Sequence, residues 1–364
     1  MTAGFRNDDR VLLERVEQAR QQRRRLGLDG LVGGLEAVVF NVEPDRLKAA
    51  AAEFLGTTGY SFGTALSGHG AEACVLRLPG SADFLLRARK PGPSPFDAEP
   101  TGPKSAHLPH TRVETLVFLC HDLERYVAIQ KARGVRFLSP EPVRSGASLF
   151  IQTEPSPFSA LSYGFVQWKD GGRQYADEFV RESDWCLPKP DRAHLRDIGV
   201  FDHASVRVHA RQRDDAIVEF LNLTNYDYSM SVYVDNLNSI TNVARLPGEP
   251  YAMVITSGLG EAGGAQAGTP AGPTEKFIEN YGRRIHHLAF RTERIQQTFA
   301  GLKGAGMEFL VELVGSPEEG LRQTFSRPLP NTLMVNEYIE RYAGFDGFFT
   351  KSNVTLLTKA TENQ

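Results

Sequence analysis

The sequence predicts an α+β protein of two domains, each built from a pair of βαβββ modules. Three observations carry this reading. Four segments repeat one order of elements, each switches from alternating to helical apolar spacing at the same point, and Gly and Pro crowd the gaps between them.

The units open at residue 35 (LEAVVFNVEPDRLKAAAAEFLG), 113 (VETLVFLCHDLERYVAIQKARGV), 201 (FDHASVRVHARQRDDAIVEFLNLT) and 285 (IHHLAFRTERIQQTFAGLKGAGM). In each, apolar residues recur over about five positions, as a half-buried strand requires. The spacing then turns helical, as at Leu123, Tyr126 and Val127, and extended segments follow. Each unit is therefore one strand, one helix and three more strands. Ahead of them, residues 9–27 set Leu12, Val16 and Ala19 on one stripe of a surface helix, expected to lie on the first domain. Its Arg20, Arg23, Arg24 and Arg25 suit the negative end of a helix dipole better than a nucleic-acid or lipid patch. Residues 88–112 and 259–274 read as loops. The division is 1–30 as a helical extension, 31–170 as a first domain, 171–198 as a linker and 199–364 as a second domain.

Composition narrows the function. Lys+Arg 41 against Asp+Glu 44 leaves a net charge of −3, so no overall field draws the chain to nucleic acid or an anionic membrane, and a small-molecule partner is expected. Cys74, Cys120 and Cys186 are widely spaced and form no CxxC, which fits a reducing cytoplasm. The N-terminus is charged throughout, and no apolar run nears the roughly 18–20 residues of a membrane span. A soluble cytoplasmic protein is the expectation.

Three stretches hold the candidate chemistry. His203 leads the alternating run VFDHASVRV, His287 leads RRIHHLAFRT, and Glu337 sits inside the apolar run NTLMVNEYIER. Aligning the units gives the two histidines one equivalent position, held by Glu36 and Glu114 in the first two units, so the second domain carries a site that the first lacks. Imidazoles on the inner strands of paired modules can approach one another. A carboxylate in an apolar strand is costly to bury alone, so Glu337 needs a metal or an arginine such as Arg327 or Arg341. Two histidines and a carboxylate on one side of a metal form the facial triad of non-haem Fe(II) oxygenases, although zinc, nickel or manganese suit the same set. His69, His107, His110 and His194 lie in Gly/Pro-rich or linker segments and read as exposed.

The order DHASVRV, LNSIT, RIHHLAF, QTFSRP, LMVNEYIER and GFFTKSN resembles the 4-hydroxyphenylpyruvate dioxygenase and hydroxymandelate synthase family of the vicinal oxygen chelate superfamily. The resemblance implies glyoxalase/bleomycin-resistance-like half-barrels and Fe(II) held by His203, His287 and Glu337. It implies that Ser239 and Gln323 line the substrate pocket, and that Phe349 and Asn353 belong to a C-terminal helix closing the cavity, with the Phe349 ring against the substrate ring. On their own residue types Ser239, Phe349 and Asn353 would be a strand hydroxyl, a helix-face core residue and a cap or turn residue. His286 falls where the family has Gln and is expected to face the other way.

The implied reaction is oxidative decarboxylation of an aryl 2-oxo acid with O2, coupled to its hydroxylation, in aromatic amino acid catabolism. The implied partners are the 2-oxo acid and O2, with neither nucleic acid nor membrane, in a homo-oligomer. The pocket departs from the family pattern at Thr241 and Asn242, at Ser257, Gly258 and Leu259, at Glu275, and at Thr350 and Ser352. An aryl 2-oxo acid is therefore implied more firmly than 4-hydroxyphenylpyruvate itself. Extradiol ring cleavage, which needs a distal base that neither His286 nor His209 is placed to supply, and non-catalytic ligand binding remain the alternatives.

Overall fold

A computed structural model describes residues 5–68, 70–169, 171–176, 180–260 and 271–364. His69 and most of the loop expected over 259–274 lie outside these residues. A single helix comes first, α1 (Asp9–Leu26), with the Asp8 side chain capping its start and Gly27 in the left-handed region at its end.

The first half follows as β1 (Val32–Asn41), α2 (Leu47–Thr57), β2 (Ser61–Gly68), β3 (Ala71–Arg77), β4 (Asp83–Arg89), β5 (Arg112–Cys120), α3 (Leu123–Ala132), β6 (Val143–Arg144), β7 (Ser148–Gln152), β8 (Ser162–Trp168) and β9 (Val180–Ser183). The second half repeats it with β10 (Ile198–Arg207), α4 (Arg213–Leu223), β11 (Asp227–Val234), β12 (Ser239–Arg245), β13 (Ala252–Ser257), α5 (Pro273–Tyr281), β14 (Arg284–Thr292), α6 (Ile295–Gly304), β15 (Val314–Ser316), β16 (Leu321–Phe325) and β17 (Val335–Arg341). It ends in α7 (Lys351–Ala360).

Each half is one mixed sheet. The strand orders are β6-β7-β8-β5-β1-β4-β3-β2-β9 and β11-β12-β13-β10-β14-β17-β16-β15. Both centre on an antiparallel pair, β1 with β5 and β10 with β14, flanked by parallel partners. The βαβββ unit read from the sequence thus occurs four times, two to a sheet.

Period-two alternation decides what each face carries. On β10, Phe201, Ala204 and Val206 enter the main apolar core, as do Ile285, Leu288 and Phe290 on β14. That core runs through both halves, with Phe84 packed edge-on to Phe201 at 5.2 Å and Phe118 against Phe220 at 5.9 Å.

Two expectations need correction. The first concerns α1, which packs chiefly on α4 of the second half, although its Gln22 accepts from Arg133 of the first at 3.2 Å. Asp9 pairs with Arg213, Arg15 with Asp215 at 2.6 Å, and both Arg20 and Arg23 with Asp227 at 3.1 Å. Its amphipathic stripe said that it packs, not on what.

The second concerns the equivalence of Glu36 and Glu114 with the histidines. His203 lies opposite Ala289 and beside Ala252, while Ala37 lies opposite Val117 and beside Asp83. His287 and Thr115 match in the same way beside Val335 and Ser162, and Glu337 and Gly164 match beside Ala289 and Val117. The counterparts of the three residues are therefore Ala37, Thr115 and Gly164. Glu36 and Glu114 are the extra residues of β-bulges, as are Asp202 and His286 in the second sheet. A slip of one residue exchanges the faces of a strand. In the first half that face is filled, since Ala37, Val117 and Val166 pack with Phe150, and a side chain at Gly164 would crowd Phe150 and Val117 at 3.0 Å.

Candidate metal centre

Three neighbouring strands build the site. Ala289 on β14 is paired with His203 of β10 on one side and Glu337 of β17 on the other, and His287 stands two residues along β14 on the same face. The small Ala289 side chain lets His203 and Glu337 reach over it. The Nε2 atoms of His203 and His287 come within 3.3 Å of each other and within 3.0 and 3.2 Å of Glu337 Oε2. All three residues are buried, and they form a group able to hold a metal ion. Ligand atoms on one face of an octahedron, about 2.1 Å from a metal, stand about 3.0 Å apart. The observed triangle has that size.

The hydrogen-bond chains behind the triangle fix which atoms face it. Asp202 Oδ1 can only accept, so His203 Nδ1, 2.9 Å away, carries a proton and, in the neutral ring that binds a metal, His203 Nε2 presents a lone pair. Behind His287 the chain is longer. His286 Nε2 donates to Gln364 Oε1 at 2.6 Å, which leaves His286 Nδ1 to accept from His287 Nδ1 at 2.7 Å and frees the lone pair of His287 Nε2. Glu337 adds a third acceptor. Three acceptors aimed at one point repel one another unless a cation sits among them.

The electrostatics carry the same tension. Burial alone would depress the His203 imidazolium, but Glu337 and Asp202 outweigh it and raise the pKa. For His287, burial comes first, and the nearness of His286, His203 and Arg207 pushes its pKa further below the usual value. Asp202 is buried, which would raise its carboxyl, yet Arg341 and the hydrogen bond from His203 hold it well below the usual range. Arg341 therefore pairs with Asp202, not with Glu337, and Arg327 pairs with Glu308.

Gln323 and Asn353 stand behind the carboxylate. Gln323 Nε2 donates to Glu337 Oε1, and Asn353 Nδ2 donates to Gln323 Oε1 at 3.0 Å. Phe349 meets His203 edge-on at 5.2 Å, and Phe325 lies 4.7 Å from the His287 ring. Ser239 is buried with its hydroxyl unpartnered and is not part of the cavity wall, whereas Thr241, two residues along β12, is. The cavity beside His287 and Glu337 is about 40 Å³ and is lined also by Phe349 and by Val354, Leu357 and Thr358 of α7.

His286 corrects a further expectation, because it does not face away. The bulge at its position turns it onto the cavity wall beside His287. Sequence reasoning also missed Arg207, which lies on that wall. Its signal was available, since residues two and four beyond His203 on a strand share its face.

No family model matches the sequence, and comparison with curated proteins finds no match. Solved structures do match. A triple mutant of 4-hydroxymandelate synthase from Streptomyces coelicolor superposes with a TM-score of 0.68 at 17% identity, over 90% of this chain and 98% of that one. The chain has the vicinal oxygen chelate fold. A xylose isomerase-like TIM barrel/4-hydroxyphenylpyruvate dioxygenase fusion protein shares that fold with a TM-score of 0.64 at 15% identity, over 95% of this chain and 57% of the other. The 2,2',3-trihydroxybiphenyl 1,2-dioxygenase of Sphingomonas wittichii strain RW1 shares it at 0.53 and 13%, over 86% and 93%. The second half of this chain carries the buried histidine-histidine-glutamate group. Among the described residues no helix is long and apolar enough to cross a membrane.

Proposed function

We propose that His203, His287 and Glu337 hold Fe(II), and that the protein is an Fe(II)-dependent dioxygenase that oxidatively decarboxylates and hydroxylates an aryl 2-oxo acid. The observation that carries this reading is the convergence of two imidazole lone pairs and one carboxylate oxygen, with His287 and Glu337 on a cavity wall. Iron bound there would supply the open positions at which a 2-oxo acid and O2 meet.

The remaining work belongs to this chain's own side chains. Asp202 keeps His203 in its tautomer, and the pair Gln364 and His286 does the same for His287. Asn353, through Gln323, orients the Glu337 carboxylate. Phe349, Val354 and Leu357 exclude water, and Phe349 presents the ring against which a substrate ring would pack. In this reading Gln323 and Asn353 act through Glu337, and Ser239 contributes only if the pocket lengthens past Thr241.

Extradiol cleavage of a catechol is the second reading, favoured by the shared fold of the trihydroxybiphenyl dioxygenase. It needs a free base, and both ring nitrogens of His286 are committed to Gln364 and His287.

Oxygen uptake by iron-loaded protein decides between them. Aryl 2-oxo acids should consume O2 and release CO2, and catechols should give no coloured ring-fission product. Ring fission would replace the first reading with the second, and no uptake on either panel with iron bound would leave a ligand-binding protein. His203→Ala and Glu337→Ala should each abolish iron retention with the fold kept; native iron content in either removes the metal assignment.

A further inference from the structure

One charge on the cavity wall has no part in the chemistry above. Arg207 follows His203 by four residues on β10 and shares its face, so their backbones stand about 13 Å apart. The side chain is buried, with 4% of the residue exposed, and lines the cavity with Ser205, Thr241, Thr256 and Thr274. Its guanidinium donates to Pro273 O at 2.9 Å and Thr361 Oγ1 at 2.8 Å, and lies 4.8 Å from the Phe277 ring. Two of its five N–H groups thus have partners. A carbonyl and a hydroxyl share the charge without neutralising it.

Among the described residues no carboxylate bonds to it. Glu275 is the acid that acts on it through space, but no hydrogen bond or ion pair joins the two. The Thr274 hydroxyl on the same wall is buried and unpartnered. A cation enclosed in this way is costly unless an anion joins it. Its planar fork fits a carboxylate with two parallel hydrogen bonds.

We propose that Arg207, with Thr274 beside it, is an anion subsite at the far end of the cavity. The substrate then carries a second carboxylate, remote from the end that chelates the metal. This rests on the metal-centre reading above and narrows its substrate to a dicarboxylic aryl 2-oxo acid. The present space of about 40 Å³ holds only a few waters, so a ligand of this size displaces part of the cavity wall on entry. The bond from Arg207 to Thr361, at the end of α7, couples the subsite to that helix.

The test is anaerobic calorimetry on the full chain loaded with Fe(II), titrated with phenylpyruvate and with 4-carboxyphenylpyruvate. The second compound should bind about tenfold to a hundredfold more tightly, the range for a hydrogen-bonded charge. Arg207→Met should bring the ratio of the two affinities close to one, and Arg207→Lys should keep part of it. Equal affinities in the native protein, or a preference that survives Arg207→Met, would overturn the subsite and leave the oxygenase reading standing. If the metal-loaded protein binds neither compound, both are lost.

Discussion

Asp202 is a carboxylate with no exposed surface that stays charged because three groups share it. It accepts from His203 Nδ1 at 2.9 Å, Arg291 Nε at 2.7 Å and Arg341 Nη1 at 2.6 Å. Its depressed pKa means that this stability is complete above the unfolded carboxyl value of about 3.9 and is lost only as pH falls through the lower folded value. Near neutral pH the charge is therefore constant, and changing it takes a mutation. Asp202→Asn puts an amide where only an acceptor serves, which allows a proton on His203 Nε2 and removes the lone pair. Metal affinity should fall by about tenfold to a hundredfold. Stability should fall by about 3 kcal/mol, since Arg341 loses its buried partner. Metal titration and thermal unfolding read the two effects separately, and native affinity in Asp202→Asn would refute the tautomer argument.

At the scale of the element, three strands deliver the site, and Ala289 is the spacer between them. Ala289→Leu should place a branched side chain between His203 and Glu337, cost about 1–3 kcal/mol by overpacking, and prevent metal binding while the sheet still forms. A folded Ala289→Leu protein with full metal content would show that the ion sits elsewhere. Strand alternation is also what made the triangle legible. His203, His287 and Glu337 each stand one residue before a core side chain, Ala204, Leu288 and Tyr338, in a strand-like run, and that pattern is written in one sequence. The bulges are not written there. No turn or glycine marks the inserted residue at Asp202 or His286, so counting by twos runs through the insertion and lands on the wrong face. That error matched Glu36 and Glu114 to the histidines and hid His286 from the cavity. Arg207 was hidden for another reason, since an arginine near a strand end usually reaches water, and only α5 and α7, distant in sequence, cover this one.

The whole molecule is held by what crosses between the halves. The apolar core is shared, with Phe54 and Phe84 of the first half against Phe290 and Phe201 of the second. Such partners belong to separate units of the sequence, and no local pattern pairs them. One polar contact across this seam sets a pH dependence for the entire fold. Glu219 on α4 accepts from Ser156 Oγ of the first half, and burial, more than the nearby Asp215, pushes its carboxyl up to about 7. An acid whose folded value exceeds its unfolded value binds more protons folded than unfolded, so stability declines as pH rises between the two. The window runs from about 4.5 to about 7. The loss across it is of the order of 3 kcal/mol, at about 1.4 kcal/mol per pH unit. Glu219→Gln keeps an acceptor for Ser156 and removes the charge. It should unfold at a higher temperature than the native chain near pH 8, match it near pH 4.5, and show a flatter profile between them. Parallel profiles for the two proteins would mean that the seam contributes no such slope, and that Glu219 is solvated when the halves meet.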